Sequence, residues 1–318
     1  MSTNFDVSMR RGMTRGSSSL LNLKSAEEVR LNVSIKQQKE IRDMYKQLAQ
    51  QAREQAEKLN DKDNISSTLR QEYLNQLAGQ LTDASDEVNQ KINRVIRSSM
   101  NATAQGVVDA QRKFLSKIGM FDAEGAFSHV PNEIVTNIAT GNIYDDNWSL
   151  SAAIWGMSKK THRDIDKIIA EGVTLNKSAY DIAKDLERYV NPLARKDWDW
   201  SKVYPGTNRV IDYNAQRLAR TLVAHAYQQS LEKTCQKNPF VTGYKWVSAN
   251  SDRTCELCKE RDGQIYAKGD LPLDHPNGLC TFIAVIPDSM TDISNRLADW
   301  VKGKPDSALD EFAKSLRK

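Results

Sequence analysis

Gly243-Tyr244-Lys245-Trp246-Val247, Gln264-Ile265-Tyr266 and Phe282-Ile283-Ala284-Val285-Ile286 are the three runs that decide the fold class. Each is short, β-branched and aromatic, as strands are, and Asp262-Gly263 ahead of the second is a tight-turn dipeptide. Upstream of Pro239 the apolar residues recur instead at helical intervals. The chain therefore reads as α+β: a long helical N-terminal arm, a helical middle, and a small mixed α/β C-terminal module.

Between these runs lie Asp252-Arg253-Thr254-Cys255-Glu256-Leu257-Cys258 and Asp274-His275-Pro276-Asn277-Gly278-Leu279-Cys280. Three of the chain's four cysteines and one of its four histidines fall in this window. Zinc takes thiolate and imidazole ligands in a tetrahedron, and a Cys-x-x-Cys knuckle supplies two of them. The second pair, broken by Pro276 and Gly278, closes the tetrahedron from a facing loop. Cys255, Cys258, His275 and Cys280 are thus the candidate ligands of one structural zinc. With four protein ligands no position is left for a reactive water. The competing reading is an unmetallated cluster in a loop-rich core. Asp252 reads as a cap on the knuckle turn rather than an acid–base group, and Cys235 as a buried free thiol.

A chain of 318 residues has room for two domains, or for one domain and an extended helical arm. Its apolar fraction of 39%, charged fraction of 27% and mean hydropathy of −0.61 suit long helices packed by one face. The longest uninterrupted aliphatic-aromatic run, 282–286, is too short for a bilayer, so no membrane insertion is expected. No apolar core follows the basic residues at the N-terminus, so no signal peptide is expected either. The cysteine usage points to a reduced, cytosolic setting. The net charge of +4 is unevenly spread. Arg10, Arg11, Arg15 and Lys24 face only Asp6, among Ser, Gly and Thr, which makes 1–24 a flexible basic tail able to touch phosphates; incidental charge is the equal alternative. Arg217 and Arg220, three apart on one helix face, can hold phosphate or pair with Asp212 or Glu232. His225 has no partner in the sequence and reads as packed or exposed rather than catalytic.

The segment 25–118 reads as a helical hairpin arm. One stripe holds Ile41, Met44, Tyr45, Leu48, Ala52, Ala56 and Leu59; after the polar cluster at 60–64 a second holds Leu69, Tyr73, Leu77, Leu81, Ala84, Val88, Ile92 and Val95. Gly106 is a candidate break. Neither stripe is wide enough to be self-sufficient, so an external surface is expected to cover what the hairpin seam leaves open. Residues 119–149 read as a linker. Residues 150–290 form the main domain, with the zinc module at 244–287. Within it Gly172 is expected to close one helix, a second begins near Ser178, and 208–232 is a third. The tryptophans Trp148, Trp155, Trp198, Trp200 and Trp246 read as core anchors. Residues 291–318 are a helical tail whose Leu309, Phe312 and Leu316 are free to dock on a neighbour.

In order, Gln216-Arg217-Leu218-Ala219-Arg220-Thr221, Tyr244-Lys245-Trp246, the Asp252–Cys258 knuckle, Asp262-Gly263-Gln264-Ile265-Tyr266 and His275-Pro276-Asn277-Gly278-Leu279-Cys280 resemble the minor head (head morphogenesis, Mu F-like) proteins of tailed phages, over roughly 150–287. Leu222 and Gly278-Leu279 depart from that pattern, where the family often has an acidic residue and Cys-Arg. The resemblance implies a non-enzymatic virion protein present in few copies. It would lie inside the capsid near the portal, and in the host cytoplasm during assembly. Its implied partners are the portal protein, scaffold or major capsid protein, and packaged DNA, with roles in head assembly and genome ejection. The DNA contacts would fall to Arg10, Arg11, Arg15, Arg217 and Arg220. Two other readings stand beside it: a nuclease or nucleotidyl-transferring enzyme using Asp252, Arg253 and His275, and a zinc-ribbon nucleic-acid binder. Against the enzyme, a zinc-bound His275 cannot also shuttle protons. Against the ribbon stands the long helical region.

Overall fold

Proline-free, Gln/Glu/Lys/Ala-rich sequence with a single apolar stripe favours long helices, and two of them open the fold. A computed structural model describes residues 24–60, 67–120, 125–146, 148–194, 211–250 and 254–316. Helices α1 (Lys24–Asn60) and α2 (Ser67–Lys117) are followed by α3 (Val130–Thr140), α4 (Leu150–Thr174), α5 (Ala179–Val190) and α6 (Ile211–Cys235). The C-terminal part alternates β1 (Gly243–Val247), α7 (Glu256–Arg261), β2 (Ile265–Ala267), β3 (Thr281–Val285), α8 (Met290–Val301) and α9 (Ser307–Leu316). The architecture is α+β, with the sheet confined to the region where the strand-like runs occur. Among the described residues no helix is long and apolar enough to cross a membrane.

The chain gathers into two compact units, which cut across the linear segmentation 25–118, 119–149, 150–290 and 291–318. Among the described residues, one takes those up to Ile35, those within Arg97–Ile138 and those from Arg220 onward; the other takes those within Lys36–Ile96 and Ala139–Ala219. A helix longer than a domain is wide contributes different turns to different cores, so no composition shift marks the boundary.

In the second unit the stripe residues Ile41, Tyr45, Leu48, Leu77, Leu81, Val88 and Ile92 are all buried, as are Ile165, Ile168, Ile182 and Leu186. The expectation that the stripes leave an apolar edge for a partner is not met at these positions; the folded chain covers them. Gly172 does not end α4, which runs on to Thr174. A Cβ there would stand 2.6 Å from Ile182 Cγ1, so the glycine permits close packing of α4 on α5. Ser178 caps α5, its Oγ accepting from the Asp181 amide at 3.0 Å. Buried Asp164 accepts from Tyr189 Oη at 2.9 Å and pairs with Lys160. Trp155 is 66% exposed, with Lys159 over its ring at 5.0 Å, and is not a core anchor. Trp198 and Trp200 lie outside the described residues.

In the first unit the strands form an antiparallel sheet in the order β2-β1-β3. Tyr244 pairs with Tyr266 on one side and with Ala284 on the other. Trp246 is fully buried at the centre, edge-on to Phe282 at 4.9 Å, with the Arg261 guanidinium 4.9 Å from its ring centre. Asp262-Gly263 is the turn from α7 into β2. Gly263 takes φ +82° there, and Asp262 Oδ1 accepts from the Ser248 amide at 2.8 Å. Gly106 breaks nothing: α2 is continuous through it, and a Cβ at 106 would stand 2.9 Å from Val29 Cγ1 of α1. Residues 130–140, expected as linker, are helix α3, whose Val130, Ile134 and Ile138 are buried at four-residue spacing. Pro131 sits in its first turn, where no amide is needed. The C-terminal helices are likewise part of the unit. Leu309, Phe312 and Leu316 are buried, and Arg296 binds Asp306 with Nε at 2.7 Å and Nη2 at 3.1 Å.

Candidate metal centre

Cys255 is the N-cap of α7 and Cys258 lies one turn into it, so helix geometry turns both thiols to one side. His275 and Cys280 come from the loop between β2 and β3. A turn closed by Gly278 N–H to His275 O at 2.9 Å, with Asn277 at φ +67°, brings the chain back to Cys280 at the edge of β3. The donor atoms of Cys255, Cys258 and His275 lie within 4.8 Å of one another, with Cys255 Sγ 3.3 Å from His275 Nε2. A second group, Cys258, Asp274 and Cys280, has the same closeness. The two groups share Cys258. Thiolates on one tetrahedral ion at about 2.3 Å stand ~3.8 Å apart, so these side chains are close enough to hold a metal ion with small adjustments. Cys255 is exposed and His275 half-buried, whereas Cys258 and Cys280 are each 2% exposed.

The protonation chemistry suits a cation. The Cys258 backbone amide and, next to it, the Cys258 and His275 side chains hold the Cys255 thiol below its ordinary range despite some desolvation. Burial pushes Cys258 up, with Cys280 adding to the rise; burial and the Asp274 charge push Cys280 up to about 11. These buried thiols resist losing a proton until something positive replaces it. His275 Nδ1 lies 3.1 Å from Pro276 O. A carbonyl only accepts, so Nδ1 carries the proton and Nε2 is left with the lone pair a metal needs. Burial lowers the His275 pKa, but the Pro276 carbonyl, Asp274 and Cys255 outweigh it and raise the value.

Helix α6 holds the loop in place through a polar stripe. Thr221, His225 and Gln228 share one face at four- and three-residue spacing. Thr221 Oγ1 accepts from the Asn277 amide at 2.8 Å, and His225 Nε2 reaches Asp274 O at 2.9 Å. Gln228 donates to Pro272 O at 3.0 Å and accepts from the Asp274 amide at 3.0 Å. Burial lowers the His225 pKa to about 4, so the imidazole is neutral and packs against the ligand-bearing loop. From α1, Arg30 donates to Cys280 O at 3.3 Å, and Thr281 Oγ1 donates to Glu27.

Other sequence-derived sites fare unequally. Arg220 Nε donates to Asn277 Oδ1 of the ligand-bearing loop at 2.6 Å. Arg217 is exposed on the same helix. Arg10, Arg11, Arg15, Asp252 and Arg253 lie outside the described residues. Cys235 is a buried free thiol, pushed up to about 12 by burial, with Gln111 Nε2 3.0 Å away. Sequence reasoning missed Asp274 as a donor and missed the Thr221–His225–Gln228 stripe. The signal for the stripe was available: Thr221, His225 and Gln228 recur at helical spacing beside the apolar Leu222, Val223, Ala226 and Tyr227. No protein-family model, curated protein or solved structure matches this chain.

Proposed function

We propose that the C-terminal module is clamped by one structural zinc, on Cys255, Cys258, His275 and Cys280, in a minor head protein of a tailed phage. The observation that carries the zinc reading is the gathering of three thiols and one imidazole from the start of α7 and from the β2–β3 loop, beside a sheet of three short strands. Zinc would tie the α7 knuckle to the β2–β3 loop and neutralise the buried thiolates. A sheet this small gains stability from such a cross-link. All four ligands come from protein, which favours a structural role over hydrolytic chemistry.

The head-protein reading rests on the ordered motif set from Gln216 to Cys280. It assigns the chain a place near the portal inside the capsid, with the portal protein, scaffold or major capsid protein and packaged DNA as partners, and action in assembly and ejection. Arg10, Arg11 and Arg15 would supply sequence-independent DNA contact that falls steeply with salt. The enzyme alternative retains only His275 among the described residues, and that imidazole faces Cys255 at 3.3 Å.

Two measurements test the two halves. Elemental analysis of freshly purified, reduced protein should give one zinc per chain, and a value near zero overturns the zinc reading. Purified virions should contain the protein at low copy, and its absence from them overturns the head-protein reading.

A further inference from the structure

We propose that Asp274 is a metal ligand, and that the ion rests on a buried Cys258–Asp274–Cys280 face with Cys255 and His275 as its exchangeable outer side. The proposal rests on the zinc reading above and changes which residues hold the ion. Asp274 is 2% exposed, yet its Oδ2 has no hydrogen-bond partner among the described residues. One of its carboxylate oxygens, Cys258 Sγ and Cys280 Sγ lie within 4.8 Å of one another.

Everything else about the residue is engaged. Its Oδ1 accepts from the His275 amide at 2.9 Å, its amide donates to Gln228 Oε1 at 3.0 Å, and its carbonyl meets His225 Nε2 at 2.9 Å. A Cβ at position 278 would stand 2.0 Å from Oδ2, so Gly278 leaves the space that this carboxylate fills. The fold thus holds the carboxyl group rigidly beside two buried thiols and leaves one oxygen unused.

A carboxylate oxygen buried without a partner is costly and needs a donor or a cation, and the two buried thiols beside it give up their protons only to a cation. Arg30 does not meet that need by contact. Its Nη1 donates to Cys280 O at 3.3 Å, and its guanidinium carbon sits 5.1 Å over the Tyr227 ring. A divalent cation with mixed sulfur and oxygen ligands answers all three groups at once, and a carboxylate oxygen is among the donors that zinc takes. The fourth position then falls to His275 or Cys255. Either outer residue is dispensable by itself, and neither Asp274 nor its two buried thiol neighbours is.

The test is cobalt(II) loading of the full chain, read by d–d absorption, by sulfur-to-cobalt charge transfer and by competition for affinity. Wild type should take one equivalent, and Cys255→Ser should keep it within roughly tenfold of wild-type affinity. Asp274→Asn should shift the d–d envelope and weaken binding beyond the ~100-fold that loss of an outer-shell partner costs. Asp274→Cys should raise the charge-transfer intensity by one thiolate and decides the matter if Asp274→Asn does not fold. An unchanged spectrum and affinity in Asp274→Asn, with no added charge transfer in Asp274→Cys, overturns the proposal and leaves the zinc reading standing. A wild type that takes up neither cobalt nor zinc overturns the zinc reading instead.

Discussion

Glu232 and His225 stand seven residues apart on α6, and burial shifts both toward their neutral forms, with opposite consequences for stability. Burial raises the Glu232 carboxyl from 4.5 to about 7, against a lowering contribution from Gln228. The folded chain therefore keeps a proton that the unfolded chain releases, and stability falls as pH rises through that window and levels off above it. For His225 the fall from 6.5 to about 4 means that its contribution is complete above 6.5 and is lost as pH drops toward 4. Glu232→Gln removes only the first effect. Relative to wild type, its gain in unfolding free energy should be near zero at pH 4 and reach about 2 kcal/mol above pH 7, after discounting for partial exposure. Urea titrations across that range check it. A difference curve that is flat, or larger in acid, means that Glu232 titrates as an ordinary carboxylate. The sequence showed His225 on a helix without a partner. Its partner is a backbone carbonyl 49 residues away, which no local pattern can display.

For whole elements, the same substitution should act with opposite sign on two helices. At Gly172 of α4 an added methyl would meet Ile182 Cγ1 at 2.6 Å, whereas at Gly79 of α2 nothing lies within 4 Å. Gly172→Ala should cost about 1–2 kcal/mol, overpacking outweighing the better helix propensity. Gly79→Ala should gain up to ~1 kcal/mol from propensity alone. Thermal melts of the two variants decide it, and equal shifts would mean that the α4–α5 contact yields without cost. In sequence Gly172 reads as a cap. Only the partner helix separates the two glycines. The α6 stripe carries the same lesson: Thr221, His225 and Gln228 are polar at core spacing because they bind the backbone of the 272–277 loop.

Across the molecule, all four proposed ligands and Asp274 belong to the unit that contains the sheet, and none to the other. Metal removal, or Cys258→Ser, should therefore raise amide exchange across β1 and β3 while leaving most far-UV helical signal intact. Uniform loss of helix on chelation would contradict this. Leu81 and Ile92, at 3% and 0% exposure, make the complementary probe. A double change to glutamate should unfold Lys36–Ile96 at a cost of at least ~3 kcal/mol, because it buries charge without a partner. If the head-protein proposal holds, reduced incorporation of that variant into heads would then report misfolding, not a lost docking edge; a wild-type melt would restore the docking idea. The sequence by itself determined the α+β class, the long helices and the Cys/His residues of the candidate metal cluster, because residue period and side-chain chemistry are local properties. Tertiary structure alone decided which turns of α1 and α2 share a core and that α8 and α9 pack instead of trailing. It also decided that the buried Asp274 carboxyl group lies beside two buried thiols. Burial and charge at a point depend on segments far apart in sequence, and only folding brings those together.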